Sequence, residues 1–422
     1  MRQAFRLPTY RRLLVAYGLN ELAWTVGTLA LAVLVYRHTG SALGSTAFFL
    51  CSMVAPAFVS PLVVARLDQR APRRMLPFLY ALEGILFGVL AWMTTRFSLV
   101  PVLALVLADG IVAIVARALA RTATVNVLRP AGLLHEGNAL TNVVFSVCFM
   151  TGPLIGGIVV VAGGTIAALL VNCGLFVAVA VILSTATGLT EVPPAEESRG
   201  RLRAAVKHVR QDRALRWLLL LQGAGVVAFT MSVPVEVVLA QHSLHAGAAG
   251  YGAMLSGWGA GAVVGSAAYA RWRRRSARAL IALSGAALGG GFALMAASPT
   301  ILVAVVGAAI GGAGNGVEST AARTALQEYT PQRWMAVVMS LNESVNQGAP
   351  GIGILLGGAI TQLSNPRIAL GIAGAGSLVF AVAVWVVLRP SAMPARPVEP
   401  EGKASAADDL LPTASPSRET IA

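Results

Sequence analysis

Twelve apolar stretches of about 18–27 residues follow one another along this chain, separated by short polar breaks. A helix needs roughly 20 residues to cross the hydrocarbon of a bilayer. Only helices and closed barrels can make that crossing with every backbone group hydrogen-bonded. The stretches fall at residues 13–35, 44–65, 75–95, 99–119, 139–161, 165–187, 217–240, 249–270, 280–297, 300–320, 337–363 and 368–388. They predict an all-α integral membrane protein with twelve transmembrane helices. The charge content agrees: 12% of the residues are charged against 56% hydrophobic, too few to cover a soluble surface.

The longest interior break, residues 191–216, reads EVPPAEESRGRLRAAVKHVRQDRALR, and six apolar stretches lie on either side of it. Pro193-Pro194 and Ser198-Arg199-Gly200 interrupt helix and give a polar hinge. Beyond the hinge, Leu202, Val206 and Val209 fall at i, i+4 and i+7, with Arg203, Lys207 and Arg210 between them. That spacing fits either a basic amphipathic helix on an anionic membrane surface or a solvated linker helix. Either one makes the segment a joint between two membrane halves. The expected organisation is a six-helix half over 1–190, the linker over 191–216, a second six-helix half over 217–390, and a disordered tail over 391–422 that is rich in Pro, Ala, Ser and Glu.

The two halves repeat at an offset of about 201–205 residues. Arg12-Leu13-Leu14 returns as Arg216-Trp217-Leu218, Ala65-Arg66 as Ala270-Arg271, Arg121-Thr122-Ala123 as Arg323-Thr324-Ala325, and Gly156-Gly157 as Gly357-Gly358. Four matches in one order at nearly one offset indicate two pseudo-symmetric bundles, and parallel six-span repeats are a transporter signature.

With the N-terminus inside, 29 of the 32 Lys and Arg residues fall on the cytoplasmic side, leaving Arg37, Arg96 and Arg367 outside. Both termini are therefore expected in the cytoplasm. The same distribution accounts for the net charge of +14. The basic residues are scattered over short loops with no aromatic stacking platform, so no nucleic-acid partner is expected.

The two lysines, Lys207 and Lys403, lie in no G-x-x-x-x-G-K-[ST] loop, which excludes a P-loop ATPase within this chain. Cys51, Cys148 and Cys173 fall inside apolar stretches and read as small core residues. The first stretch is a full span without a small-residue cleavage site, so no cleavable signal peptide is expected. His242 and His245 lack further ligands, and neither metal nor cofactor is expected.

The loop after the second span, ARLDQRAPRRML, carries Asp68, Arg70, Arg73 and Arg74. The arginines alone fit topology signals; the acid does not. Here the chain resembles the major facilitator superfamily, whose signature in this loop is G-x-x-x-D-R-x-G-R-R. This copy departs from it at Val64, at Gln69 and at Ala71-Pro72. The resemblance implies a cytoplasmic gate in which Asp68 and its arginines latch the halves. The matching second-half loop has Arg273 where Asp68 would be, so one latch is expected. The fifth span carries Gly152-Pro153-Leu154-Ile155-Gly156-Gly157. This is similar to the signature of proton-coupled exporters of the superfamily, without that motif's earlier glycine. Read from the residues alone it is a kinked packing face. Gly137-Asn138-Ala139-Leu140, Thr324-Ala325-Leu326-Gln327 with Pro331, and Val338-Met339-Ser340-Leu341 resemble the macrolide-efflux and enterobactin-exporter branch. The resemblance covers residues 5–390.

An ionisable side chain inside a span costs about 2.5–3.5 kcal/mol at the bilayer centre, so it should face protein or water. Glu21 lies in the first span beside Asn20 and Trp24. Asp109 and Arg117 lie in the fourth, Glu236 in the seventh and Glu318 in the tenth. The resemblance implies that spans one, four, seven and ten line a central cavity, which makes these residues candidates for proton coupling or substrate contact. The alternative is a structural hydrogen bond or ion pair within one half. Glu83, in the third span, is the exception and reads as a buried carboxyl. Asn138, Asn142 and Ser146 form a polar stripe on the fifth span, and Asn342 with Asn346 another on the eleventh; interhelical hydrogen bonds and substrate contacts both fit.

The leading expectation is a secondary active transporter: proton-coupled efflux of a small amphipathic compound such as a drug, antibiotic or secondary metabolite, by alternating access. An importer or facilitator is the alternative, and an intramembrane enzyme or lipid scramblase a remote one. No H-E-x-x-H, G-x-S-x-G or paired-Asp signature supports an enzyme. The expected partners are the substrate, protons and the lipid bilayer, with a monomer in the cytoplasmic membrane.

Overall fold

The computed structural model describes residues 2–59, 72–186, 213–272, 275–330 and 335–387. A helix lies over each of the twelve apolar stretches, and no strand occurs among the described residues. Nine of the described helices are long and apolar enough to cross a membrane. One of them, Leu134–Ser184, breaks at Gly164 (φ 76°, ψ 178°) and holds the fifth and sixth spans. Only glycine takes that backbone conformation without strain, so the break falls where the chain has no Cβ. Two further helices, Gly247–Trp272 and Met335–Leu363, carry the eighth and eleventh spans.

Local chemistry sets the breaks. The first span, Pro8–Thr39, opens on a proline and stops at Gly40, whose φ is 59° and whose N–H bonds to Tyr36. Ser41 then caps the second span, Ala42–Phe49, by accepting from the N–H groups of Leu43 and Gly44. That helix continues as a π turn over Leu50–Val54. Pro56 follows the turn and has no N–H to give the Ser52 carbonyl. The seventh span starts as Arg213–Thr230 and resumes as Val233–Val238 after a break at Met231-Ser232. Pro234 enforces it by withholding a bond from the Thr230 carbonyl.

Within the first half, the first span is the centre of packing, with Leu29, Ala30, Ala32, Val33 and Val35 fully buried. A Cβ at Gly27 would strike Asn172 of the sixth span and Phe87 of the third. The halves meet along two pairs of helices. Spans five and eight cross where Gly157 faces the Ala248 carbonyl, Gly252 faces the Pro153 carbonyl and Gly259 faces Phe149. Spans two and eleven meet where Val54 touches Gly351 and Thr46 touches Gly358. Beyond Thr46, Gln362 accepts hydrogen bonds from the Ser41 hydroxyl (3.0 Å) and the Ala42 N–H (3.1 Å).

These contacts lie towards the end of the bundle that carries Gly40 and Gly164, here the far end. The opposite end carries Arg2–Arg6 and Ser184 and is here the terminal end. There Phe58 is 65% exposed on span two, Phe145 39% on span five, and Ser344 and Gln347 are exposed on span eleven. The glycine contacts and the Gln362 hydrogen bonds between the halves lie towards the far end.

Asp68, Arg70 and residues 191–212 of the linker lie outside the described residues, as does the 391–422 tail. For Arg73 only the helical backbone is described, and Arg74 is exposed.

Candidate functional site

Three cavities run in sequence through the bundle. The first, of about 400 Å³, lies between the halves and is lined by spans one, two and five on one side and seven, eight and eleven on the other. Its walls are mainly apolar and aromatic: Trp24, Phe49, Phe149, Phe229, Tyr251 and Trp258 all reach it. Trp258 stacks between Phe229 (5.2 Å) and Phe292 (5.7 Å), which holds its indole in place. The break in the seventh span turns Ser232 and Glu236 into this cavity, where the Ser232 hydroxyl donates to Glu236 Oε1 at 2.9 Å.

The second cavity, of about 410 Å³, sits in the first half and is lined by Asp109, Arg117, Phe87 and Phe176. It shares Trp24, Thr28, Met53 and Gln347 with the first, so the two adjoin. The third, of about 310 Å³, is polar and lies towards the terminal end, with Asn20, Glu21, Arg121, Asn138 and Asn142 on its walls. It shares Arg117 with the second.

Arg117 is the hinge of this arrangement. Its guanidinium carbon lies 5.2 Å over the Trp24 ring. Its Nε has no hydrogen-bond partner, and Coulombic contact reaches Glu21, Glu83 and Asp109. Asp109 Oδ1 and both Glu83 oxygens are buried without hydrogen-bond partners. Glu21 accepts a bond from Asn20 at 3.3 Å and also feels Arg121. One guanidinium charge faces three acids, too few to neutralise all of them if all are ionised. A buried charge without a partner is costly, so the cluster can occupy more than one pairing arrangement.

The structure brings Glu21, Asp109 and Arg117 together and puts Glu236 across the molecule on the cavity between the halves. Glu318 lines none of the three cavities. It is buried, its Oε1 lacks a partner, and it sits beside Gly225. At the repeat offset Gly225 corresponds to Glu21. The second half thus carries a further buried acid on span ten, beside a glycine on span seven.

Asn138 and Asn142 are exposed on the polar cavity. Asn346 accepts from Gln222 at 3.5 Å and also lines the cavity between the halves. Gly152 and Gly156 pack on Thr25 and Val26 of the first span, while Gly157 packs on the eighth. The Gly-Pro-x-x-Gly-Gly motif is therefore the point where one helix touches both halves.

Sequence reasoning set Glu83 aside, yet it belongs to the acid cluster. Its face was legible, since Tyr80, Glu83 and Phe87 fall at i, i+3 and i+7 and all are buried. Asn172, buried with neither polar atom bonded, was also passed over, and its position on a uniformly apolar span offered no cue. The aromatic wall offered no cue either: aromatics are 6% of the chain and are spread over most of the spans.

Residues 13–349 and 227–417 match the Major Facilitator Superfamily. Solved structures share the fold. A mutant form of the nucleoside transporter NupG matches with a TM-score of 0.74 at 12% identity, over 90% of this chain and 100% of that one. A bacterial homologue of the iron transporter ferroportin, in its inward-facing state, matches at 0.72 and 14% identity, over 90% and 98%. An auto-inhibited peptide transporter of the POT family matches at 0.68 and 11% identity, over 93% and 98%. No curated protein sequence matches the chain.

Proposed function

The chain belongs to the Major Facilitator Superfamily, and on that premise we propose that it is a secondary active transporter that exports a small amphipathic compound in exchange for protons. The observation that carries this reading is the adjacency of two unlike cavities. An apolar aromatic cavity between the halves suits an amphipathic substrate, and a carboxylate–arginine cluster shares four of its wall residues. Binding on one side of Trp24 is thereby placed next to charge pairing on the other.

The halves are the six-helix units of residues 1–190 and 217–390, joined by the 191–216 linker. They rock about the glycine crossing of spans five and eight. Asp109 and Glu21 are the coupling acids and Arg117 their shared counter-ion. Both termini lie in the cytoplasm on the strength of the arginine distribution, and on this reading the cavity between the halves opens inward, at the terminal end. The likeness to an inward-facing ferroportin homologue supports that orientation of the opening. Export rather than import rests on the Gly-Pro-x-x-Gly-Gly motif and on the resemblance to the macrolide-efflux and enterobactin-exporter branch. Asp68, with Arg70, Arg73 and Arg74, closes the cytoplasmic side when the opening moves outward. The transporter works as a monomer in the cytoplasmic membrane and needs no cofactor.

The test uses everted membrane vesicles from an efflux-deficient host, with and without the gene, against a panel of amphipathic antibiotics and dyes. Export predicts uptake into vesicles acidified inside and its loss on adding a protonophore. Uptake into right-side-out vesicles instead would make the protein an importer.

A further inference from the structure

We propose that the cavity between the halves selects an organic cation with a broad apolar body, and that Glu236 is its anionic partner. This rests on the transport reading for that cavity and names the substrate class.

Charge is the first argument. Of the side chains lining the cavity, Glu236 alone is a carboxylate, and none is Lys, Arg or His. An anionic substrate would meet no positive partner there. The groups that face Glu236 are Ser232, whose hydroxyl occupies Oε1, and Tyr251, which lies within Coulombic reach. One hydroxyl satisfies only part of a carboxylate's four acceptor positions. An intramembrane acid that opens onto a cavity implies a polar partner, and a substrate cation supplies it.

The walls make the second argument. Six aromatic rings reach the cavity from both halves, two of them indoles, and the faces of such rings attract a cation through their quadrupole. Trp258 is held in place by its two stacked neighbours. A volume of about 400 Å³ holds the body of a drug-sized molecule.

Position is the third. Pro234 breaks the seventh span within the cavity wall, between Thr230 and Glu236, and the short Val233–Val238 helix holds the buried Glu236 on the cavity. A carboxyl whose only task was to cap that helix would not need an aromatic chamber in front of it.

The full-length protein in detergent is titrated with tetraphenylphosphonium and tetraphenylborate, two ions of one shape and opposite charge. Quenching of Trp24 and Trp258 is the readout. The phosphonium should bind at least about tenfold more tightly than the borate. Glu236→Gln should lower phosphonium affinity by about tenfold or more, the scale expected for losing a buried charge partner, with borate affinity unchanged or improved. Glu236→Asp should keep most of the preference. A Glu236→Gln protein that still binds the borate is folded at the cavity, so its loss of phosphonium binding reports charge. Equal affinities for the two ions, an unchanged preference in Glu236→Gln, or no binding of either ion overturns the proposal. The titration uses no gradient. A cation preference without gradient-driven transport in vesicles would sink the export reading alone, and transport with no charge preference would sink this one alone.

Discussion

The guanidinium of Arg117 lies 5.2 Å over the indole of Trp24, and the indole in turn lines the cavity between the two halves. One arginine therefore lies over the wall of the central cavity and within Coulombic reach of the acids of the first half.

If Arg117 is the counter-ion of that cluster, removing it leaves Glu21, Glu83 and Asp109 with only Arg121 nearby. Arg117→Leu should destabilise the protein by about 3 kcal/mol, the scale found when one partner of a buried ionic group is deleted. The thermal melt in detergent should fall accordingly. Adding Asp109→Asn to that variant should recover part of the loss, because one fewer carboxyl then lacks a partner. A melt of Arg117→Leu like that of the parent would show that the guanidinium does not hold the cluster.

Coupling is a separate matter. Asn or Gln keeps the shape of an acid and removes its titration. Asp109→Asn and Glu21→Gln should each abolish gradient-driven efflux while substrate binding remains measurable, and the dependence of transport on pH should flatten. Should both variants still concentrate substrate with the parent's pH profile, neither acid is the coupling group, and Glu318 is the next to substitute.

At the far end the two halves are tied by Gln362, which takes hydrogen bonds from the Ser41 hydroxyl and the Ala42 N–H. Each such bond contributes about 0.5–1.5 kcal/mol. Opening of the far end has to break both. With Cys51, Cys148 and Cys173 replaced, a Ser41→Cys, Gln362→Cys pair bridged by a short reducible dithiol reagent should stop transport, and reduction should restore it. Undiminished transport by the bridged protein would show that the far end does not open.

Glycine in the fifth span can be tested by size. A Cβ at Gly157 would stand 2.8 Å from the Ala248 carbonyl oxygen and 3.1 Å from the Ala249 Cα, both backbone atoms. Gly157→Val should therefore part spans five and eight and lower transport at normal expression. Gly174 has nothing within 4 Å of its Cβ position. Gly174→Ala should be neutral, or stabilise by up to about 1 kcal/mol through helix propensity. Equal activity of the two variants would mean that the glycine crossing is not the axis of the motion.

Much of the membrane architecture could be read along the chain because its causes are local. Burying about 20 consecutive residues in hydrocarbon forces a helix whatever its neighbours are. The repeat offset then pairs the halves, and it even foretells that Gly225 answers to Glu21. Proline acts locally too: Pro234 and Pro56 each withhold one bond from a carbonyl four residues back. The helix is broken near the first, and a π turn precedes the second.

Apolar periodicity says little about which face of a transmembrane helix meets protein, since lipid is as apolar as a core. That is why Glu83 looked like a stray carboxyl until the third span was placed beside the fourth. It is also why the sequence did not show that Glu318 lies beside Gly225, away from the cavity between the halves. Ser41 and Gln362 lie 321 residues apart and meet only because two helices from different halves cross. The chain by itself determined that it would span a bilayer as two repeated bundles, because desolvating the backbone admits little else. Only the tertiary structure decided which acids share Arg117 and which rings wall the cavity. Those choices are set by the rotation and crossing of helices, and they depend on where a glycine lets one backbone touch another.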